Sequence, residues 1–202
     1  MRVIAYIDGF NLYHGLRESK WRWAYWLNID TLMRCFLRHD QKLVQTKYFT
    51  SIVSYPSDKH DRQATFLEAL QTLPDFNIYY GHFLSKEIEC YNCGHAYIDH
   101  SEKKTDVNIA TEMLTDAFQD QFDIAFLVSA DSDLVPPIDT IRKLFPKKQI
   151  IVIFPPKRIS KELQRTANAY TYISPDKLSK SLFPEQVTKP DGFILRRPAS
   201  WK

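Results

Sequence analysis

Glycine is scarce in this 202-residue chain, with five residues, and cysteine scarcer still, with three. Few glycines exclude a collagen-like or linker-rich chain. An odd count of cysteines argues against a disulfide scaffold and makes a reducing cytoplasm the expected setting. No apolar run approaches the roughly 18 residues of a membrane span, so no membrane partner is expected. The opening Met1-Arg2-Val3-Ile4-Ala5-Tyr6-Ile7-Asp8 does not read as a signal peptide, because Asp8 interrupts the apolar stretch and no small-residue cleavage site follows. No internal repeat is visible.

The composition that remains, 44% hydrophobic and 25% charged, is that of a globular chain, and the length suits one domain. The net charge of +3 hides an asymmetry. From Arg142 onward there are 14 Lys/Arg against 4 Asp/Glu, whereas residues 1–141 carry 13 against 20. An acidic front and a basic back suit a protein that holds cations with one part and phosphates with another; a solvated surface with a basic tail fits equally well.

Short apolar runs at Val3–Ile7, Ile124–Ser129 and Ile150–Phe154 have the pattern of strands buried on both faces of a parallel sheet. Leu43–Ser54, Phe76–Leu84 and Tyr170–Ile173 read as further strands. Helices are expected at Asn11–Arg17, Asp30–His39 with Asp30 as N-cap, His60–Leu73, Asp106–Phe118, Val135–Phe145 and Ser160–Ala167. This alternation predicts an α/β fold: a three-layer α/β/α, Rossmann-like, mainly parallel sheet. The expected organisation is a single domain over residues 1–183 with a Cys-containing loop at 86–103, followed by a basic, Pro-containing extended tail at 184–202.

In such sheets, functional residues sit beyond the carboxyl ends of the strands. Two of the buried strands end in acid: Val3–Ile7 delivers Asp8, and Ile124–Ser129 delivers Asp131 and Asp133. Asp106 stands where a helix should begin. Brought together, four carboxylates would repel one another, and a hard divalent cation such as Mg²⁺ or Mn²⁺ resolves that repulsion with oxygen ligands while bridging to phosphate. Each acid also has a plain structural reading: Asp106 and Asp133 as helix caps, Asp131 in a tight turn.

Three stretches carry a resemblance. Ile7-Asp8-Gly9-Phe10-Asn11-Leu12-Tyr13, Lys103-Lys104-Thr105-Asp106-Val107-Asn108-Ile109-Ala110 and Val128-Ser129-Ala130-Asp131-Ser132-Asp133-Leu134 together resemble the NYN domain family, and within it the LabA-like (DUF88) branch. The resemblance covers roughly residues 1–174. It implies the PIN-like version of the α/β/α fold, an acidic site for Mg²⁺ or Mn²⁺, and ribonuclease activity on RNA. By position, Asp8, Asp106, Asp131 and Asp133 match the family's metal-binding catalytic acids, while Asn11 and Ser129 match supporting polar residues. Ala130 and Leu134 stand where members usually have Gly and Phe; the acids are unaffected.

Several features lie outside that pattern. Cys90 and Cys93, in Cys90-Tyr91-Asn92-Cys93-Gly94-His95, supply half of a tetrahedral Zn²⁺ site, with His95, His100 and the more distant His82 as candidates for the rest; two reduced thiols in a polar loop is the other reading. Cys35 reads as core. Lys103 and Lys104, together with Lys157, Arg158 and a helix start at Ser160, are candidates for holding an RNA backbone, although a simply capped, solvated helix serves as well. Tyr13 and His14 lie close to the acids in sequence and could contact substrate. Trp21, Trp23, Tyr25 and Trp26 beside Lys20 and Arg22 could stack bases, pack beneath the sheet, or form a homodimer face, with packing favoured. The function expected from all this is a metal-dependent ribonuclease. The alternative is a non-catalytic RNA- or protein-binding module that retains the acidic pocket. Other metal-dependent phosphohydrolases fit less well, since Asp8-Gly9-Phe10 lacks the second acid of an Asp-x-Asp motif.

Overall fold

The computed structural model describes residues 1–53, 57–89 and 91–201; the side chains at 83–88 and 97–103 lie outside that description. The strands are β1 (Arg2–Asp8), β2 (Lys42–Thr50), β3 (Phe76–Tyr80), β4 (His82–Glu89), β5 (Ala96–Lys103), β6 (Ile124–Val128), β7 (Gln149–Phe154), β8 (Ala169–Tyr172), β9 (Gln186–Thr188) and β10 (Ile194–Arg196). The helices are α1 (Gly9–Glu18), α2 (Ile29–Arg34), α3 (Ser57–Gln71), α4 (Thr105–Phe118), α5 (Val135–Leu144), α6 (Lys161–Thr166) and α7 (Pro175–Ser179).

Six strands form one sheet in the order β3-β2-β1-β6-β7-β8, and every neighbouring pair is parallel. The central strands are apolar on both faces because both faces are covered. Val3, Ala5 and Ile7 of β1, with Phe126 and Val128 of β6, join one core with Leu12 and Leu16 of α1, Leu32 of α2 and Leu70 of α3. Ile4, Tyr6, Ala125 and Leu127 join the opposite core with Ile109 and Met113 of α4, Ile138 of α5 and Leu163 of α6. Each fully buried aliphatic or aromatic side chain contributes about 1.5–3 kcal/mol, so these two layers hold the α/β/α sandwich together. The strand order reverses between β1 and β6. A sheet of this kind opens a crevice at the carboxyl ends of the strands where the order reverses.

Two close approaches place α1. A Cβ on Gly9 would stand 2.6 Å from the Tyr48 ring and 2.7 Å from the Phe49 carbonyl oxygen, and one on Gly15 would stand 2.7 Å from the Pro156 carbonyl oxygen. Glycine at both positions therefore lets the helix lie against β2 and the loop after β7. On the other layer, α4 is tied to the sheet by Lys47 of β2, which is 4% exposed. Its ammonium reaches Glu112 at 2.7 Å and Asp116 at 2.6 Å, and the Tyr6 hydroxyl donates to Asp116 at 2.6 Å. Burial alone would lower the Lys47 pKa, but its hydrogen bonds to Asp116 and Glu112 more than offset that and hold it above its ordinary value.

Several expected elements differ. Phe76–Leu84 is two strands parted at Gly81, whose N–H donates to the Thr50 carbonyl rather than continuing one ladder. The region at 86–103 is not a loop: β4 and β5 pair antiparallel from His82↔Lys103 to Glu89↔Ala96. The cap of α2 is Asn28 rather than Asp30; its side chain accepts from the Thr31 N–H, and Asp30 instead pairs with Arg34 one turn on. The stretch from 184 is not an extended tail. β9 and β10 form a hairpin whose Val187 and Leu195 enter the first core, and the Trp26 indole N–H donates to the Pro184 carbonyl at 2.7 Å. A basic, proline-containing segment can still fold when its apolar residues alternate onto a hydrophobic face.

Candidate active site

The crevice between β1 and β6 is where the acids gather. Asp8, last residue of β1 and N-cap of α1, is 4% exposed. One of its oxygens accepts from the Asn11 N–H at 2.9 Å; the other accepts from the Ser129 hydroxyl at 2.9 Å. Ser129, fully buried just past β6, also accepts the Asp131 N–H on its oxygen at 3.0 Å. One hydroxyl thus links the two strand-end acids. The Asn11 side-chain oxygen completes the link by accepting from the Ala130 N–H at 3.2 Å.

Asp131 uses one oxygen for the turn that follows, accepting from the Asp133 N–H at 3.0 Å. Its turn role is real and occupies only part of the carboxylate. The helix-cap readings of the other two acids do not apply. The cap of α4 is Lys104 and that of α5 is Leu134, neither with a side-chain capping bond, and Asp106 lies inside the first turn of α4. Burial pushes the Asp106 pKa up, and the nearby charges of Asp131 and Asp133 push it further. Like charges thus crowd around Asp106.

Asp8, Asp106 and Asp131 line one cleft of about 1190 Å³. Asp133 is exposed and lies within electrostatic range of Asp106, outside the cleft lining. Asn11, Tyr13, His14 and Arg158 share the cleft. Burial, then the charges of Arg158 and Arg17, lower the pKa of His14 and favour its neutral form. Arg158 pairs with Glu18 of α1 at 2.5 Å, across the contact that Gly15 permits.

The other proposed phosphate contacts are placed elsewhere. Ser160 caps α6, its hydroxyl oxygen accepting from the Leu163 N–H at 3.3 Å; the helix is one of six residues and its start does not line the cleft. Lys157 and Lys104 are exposed, at φ values of 57° and 75°, and also lie off the lining. The Lys103 side chain and Cys90 lie outside the described residues, as does the His100 side chain, so the zinc reading stays an expectation. Cys93 and His95 are exposed beside the β4–β5 turn, and Cys35 is half-buried with its sulfur 3.7 Å from the Ser181 hydroxyl. Among the clustered aromatics, Trp26 is wholly buried, Trp21 and Trp23 pack against the core, and Tyr25 lines the cleft.

Sequence reasoning missed much of the cleft wall: Arg17, Lys59, Arg62, Phe66 and Trp201. Arg17 could have been found, since it follows Tyr13 by four residues and so shares its helix face. Trp201 carried no local signal.

The NYN domain family model matches residues 2–175. Of curated proteins, 6-hydroxy-3-succinoylpyridine 3-monooxygenase HspA from Pseudomonas putida (strain DSM 28022 / S16) is 27% identical over 176 residues, covering 70% of this chain. The match spans only 56% of that longer protein. Among solved structures, VPA0982, a protein of unknown function from Vibrio parahaemolyticus RIMD 2210633, superposes with a TM-score of 0.59 at 20% identity, covering 90% of this chain and 96% of its own. At that identity the likeness speaks for the fold alone. Given the parallel α/β/α sheet and a family match running from the first strand to the start of α7, the chain belongs to the NYN domain family.

Proposed function

We propose that this protein is a Mg²⁺- or Mn²⁺-dependent ribonuclease in which Asp8, Asp106, Asp131 and Asp133 surround the reacting phosphodiester. NYN domains are nuclease-like members of the PIN superfamily, and the metal dependence, the RNA substrate and the LabA-like branch are the finer steps proposed here. The observation that carries them is the shared cleft: Asp8, Asp106 and Asp131 with Arg17, Lys20, Arg22 and Arg158 along the same lining. Carboxylates that share a cleft with cations suit a hard metal ion and a phosphate chain.

The donor set fits such an ion. All four side chains offer carboxylate oxygen, and a cation would relieve the repulsion that raises Asp106. Among the described residues, no group of three His, Cys, Asp or Glu side chains is drawn together around a common point. When bound, a divalent ion supplies charge neutralisation and an acidified water. The chain's own residues hold the frame. Ser129 and the Asn11 N–H fix both oxygens of Asp8, the Asn11 side chain anchors the strand end that carries Asp131, and Arg158 faces the cleft to take phosphate. Lys104 and Lys157, both exposed, are assigned to flanking RNA backbone. A reducing cytoplasm, expected from the odd cysteine count, belongs to the same reading.

The test is cleavage of a mixed RNA pool under Mg²⁺ and Mn²⁺ titration, with Asp131→Asn beside the parent. Asparagine keeps an oxygen for the Asp133 N–H, so the variant should unfold at the parental midpoint yet lose cleavage. If Asp131→Asn cuts as fast as the parent, the mechanism is wrong. Salt-dependent RNA binding by the parent with no metal-dependent product would point instead to a regulatory binding module.

A further inference from the structure

One wall of the cleft comes from outside the family match. That match ends at residue 175, yet Ser200 and Trp201 line the cleft together with Asp8 and Asp106. The β9–β10 hairpin brings them there, and the Arg197 guanidinium locks the end of the segment by donating to the carbonyls of Trp23 and Trp201. The Trp201 ring meets Tyr25 edge-on at 5.7 Å, and Tyr25 meets Tyr13 at 5.3 Å between centroids. All three rings line the cleft. Packing does not exhaust them: Tyr13 is 39% exposed, and Tyr25 and Trp201 are only half-buried, whereas neighbouring Trp26 is 0% exposed.

Charge indicates what lies against these rings. Arg17, Lys20 and Arg22 share the lining and form no ion pair among the described residues. Tyr13 belongs to α1, the helix that Asp8 caps, and both residues line the cleft.

We propose that Tyr13, Tyr25 and Trp201 form a base-stacking subsite for an unpaired nucleobase adjacent to the scissile phosphate, created by the C-terminal hairpin. The proposal rests on reading the cleft as an RNA site. The flanking cations favour a ring carried on a phosphate backbone over a free heteroaromatic ring, and a paired base, already stacked within its duplex, cannot enter.

The subsite is tested by binding in EDTA, which separates it from catalysis. The probes are a short unstructured RNA, an abasic strand of equal length and charge, and free pyridine carboxylate. Stacking one base on an aromatic ring is worth roughly fivefold to a hundredfold in affinity. The parent should bind the RNA at least fivefold tighter than the abasic strand. Trp201→Ala should bring that ratio close to one, and Trp201→Phe should keep most of it. Tyr13→Ala, which removes an exposed ring, serves as the second variant should Trp201→Ala fold poorly. Equal binding of RNA and abasic strand, an unchanged ratio in both alanine variants, or pyridine carboxylate binding as tightly as the RNA would overturn the subsite. If the ratio holds but no metal-dependent cleavage is found, the ribonuclease reading fails and the subsite stands. If cleavage is found with a ratio of one, the ribonuclease stands and the subsite fails.

Discussion

Ser129→Ala is the sharpest probe of the site, because one hydroxyl serves two acids. The side chain is wholly buried, donates to Asp8 at 2.9 Å and accepts the Asp131 N–H at 3.0 Å. Alanine fits the same space, so packing is nearly unchanged. What is lost is a hydrogen bond to a buried carboxylate, about 1.5–3 kcal/mol, together with a partner for the Asp131 N–H, about 1–3 kcal/mol. The half-buried position of Asp131 lets water replace part of the second loss. A net destabilisation of about 2–4 kcal/mol follows, equivalent to a drop of about 5–15 °C in unfolding midpoint for a chain of this size. Freed of one anchor, Asp8 also loses its fixed orientation. Removing such a supporting contact typically costs about 10–100-fold in metal affinity. Circular dichroism melts and calorimetric Mn²⁺ titration of parent and variant measure the two effects. A melting point within a degree of the parent and an unchanged Mn²⁺ affinity would refute the role given to this hydroxyl.

Other perturbations have equally definite outcomes. Because burial and then Asp131 and Asp133 raise the Asp106 pKa, the unfolded chain gives up this proton first; stability of the cation-free protein should decline as pH rises from the ordinary carboxylate value through the raised one. Asp106→Asn should remove that decline, melting higher than the parent near neutral pH while cutting no RNA, and melting curves across pH decide it. Lys47→Met leaves Asp116 and Glu112 without their cation and should cost about 3–5 kcal/mol in urea unfolding. Adding Asp116→Leu and Tyr6→Phe should recover most of that loss if uncompensated charge, rather than packing, is the cause. Gly9→Ala should cost about 1–3 kcal/mol by overpacking and lower cleavage by displacing the start of α1 from Asp8. Trimming Tyr48 to Leu should not rescue it, since the Phe49 carbonyl oxygen is just as close.

The apolar runs at Val3–Ile7 and Ile124–Val128, each ending near an acid, were enough to foresee two central strands with carboxylates at their ends. Periodicity reports a segment's own burial and backbone conformation, and both of these strands are covered on both faces. The same local patterns could not choose between roles that share a spelling. Ser160 ahead of a short helix reads alike as a cap or a phosphate seat, and its bond to the Leu163 N–H shows the cap. Asp106 reads alike as a cap or a free acid, and its place inside the first turn of α4 shows it is no cap.

From its amino-acid order alone, this chain determined the strands of the main sheet, the longer helices and which acids terminate the central strands, because those outcomes depend on neighbours a few residues away; the β4–β5 and β9–β10 hairpins were not legible in that way. Only the tertiary structure decided that β1 lies beside β6, that Lys47 is a buried ion-pair partner rather than a surface lysine, and that Trp201 faces the same cleft as Asp8. Each depends on contacts between segments scores of residues apart. Such contacts form only where many side chains on both faces of the sheet are satisfied together, and no local window of sequence carries that sum.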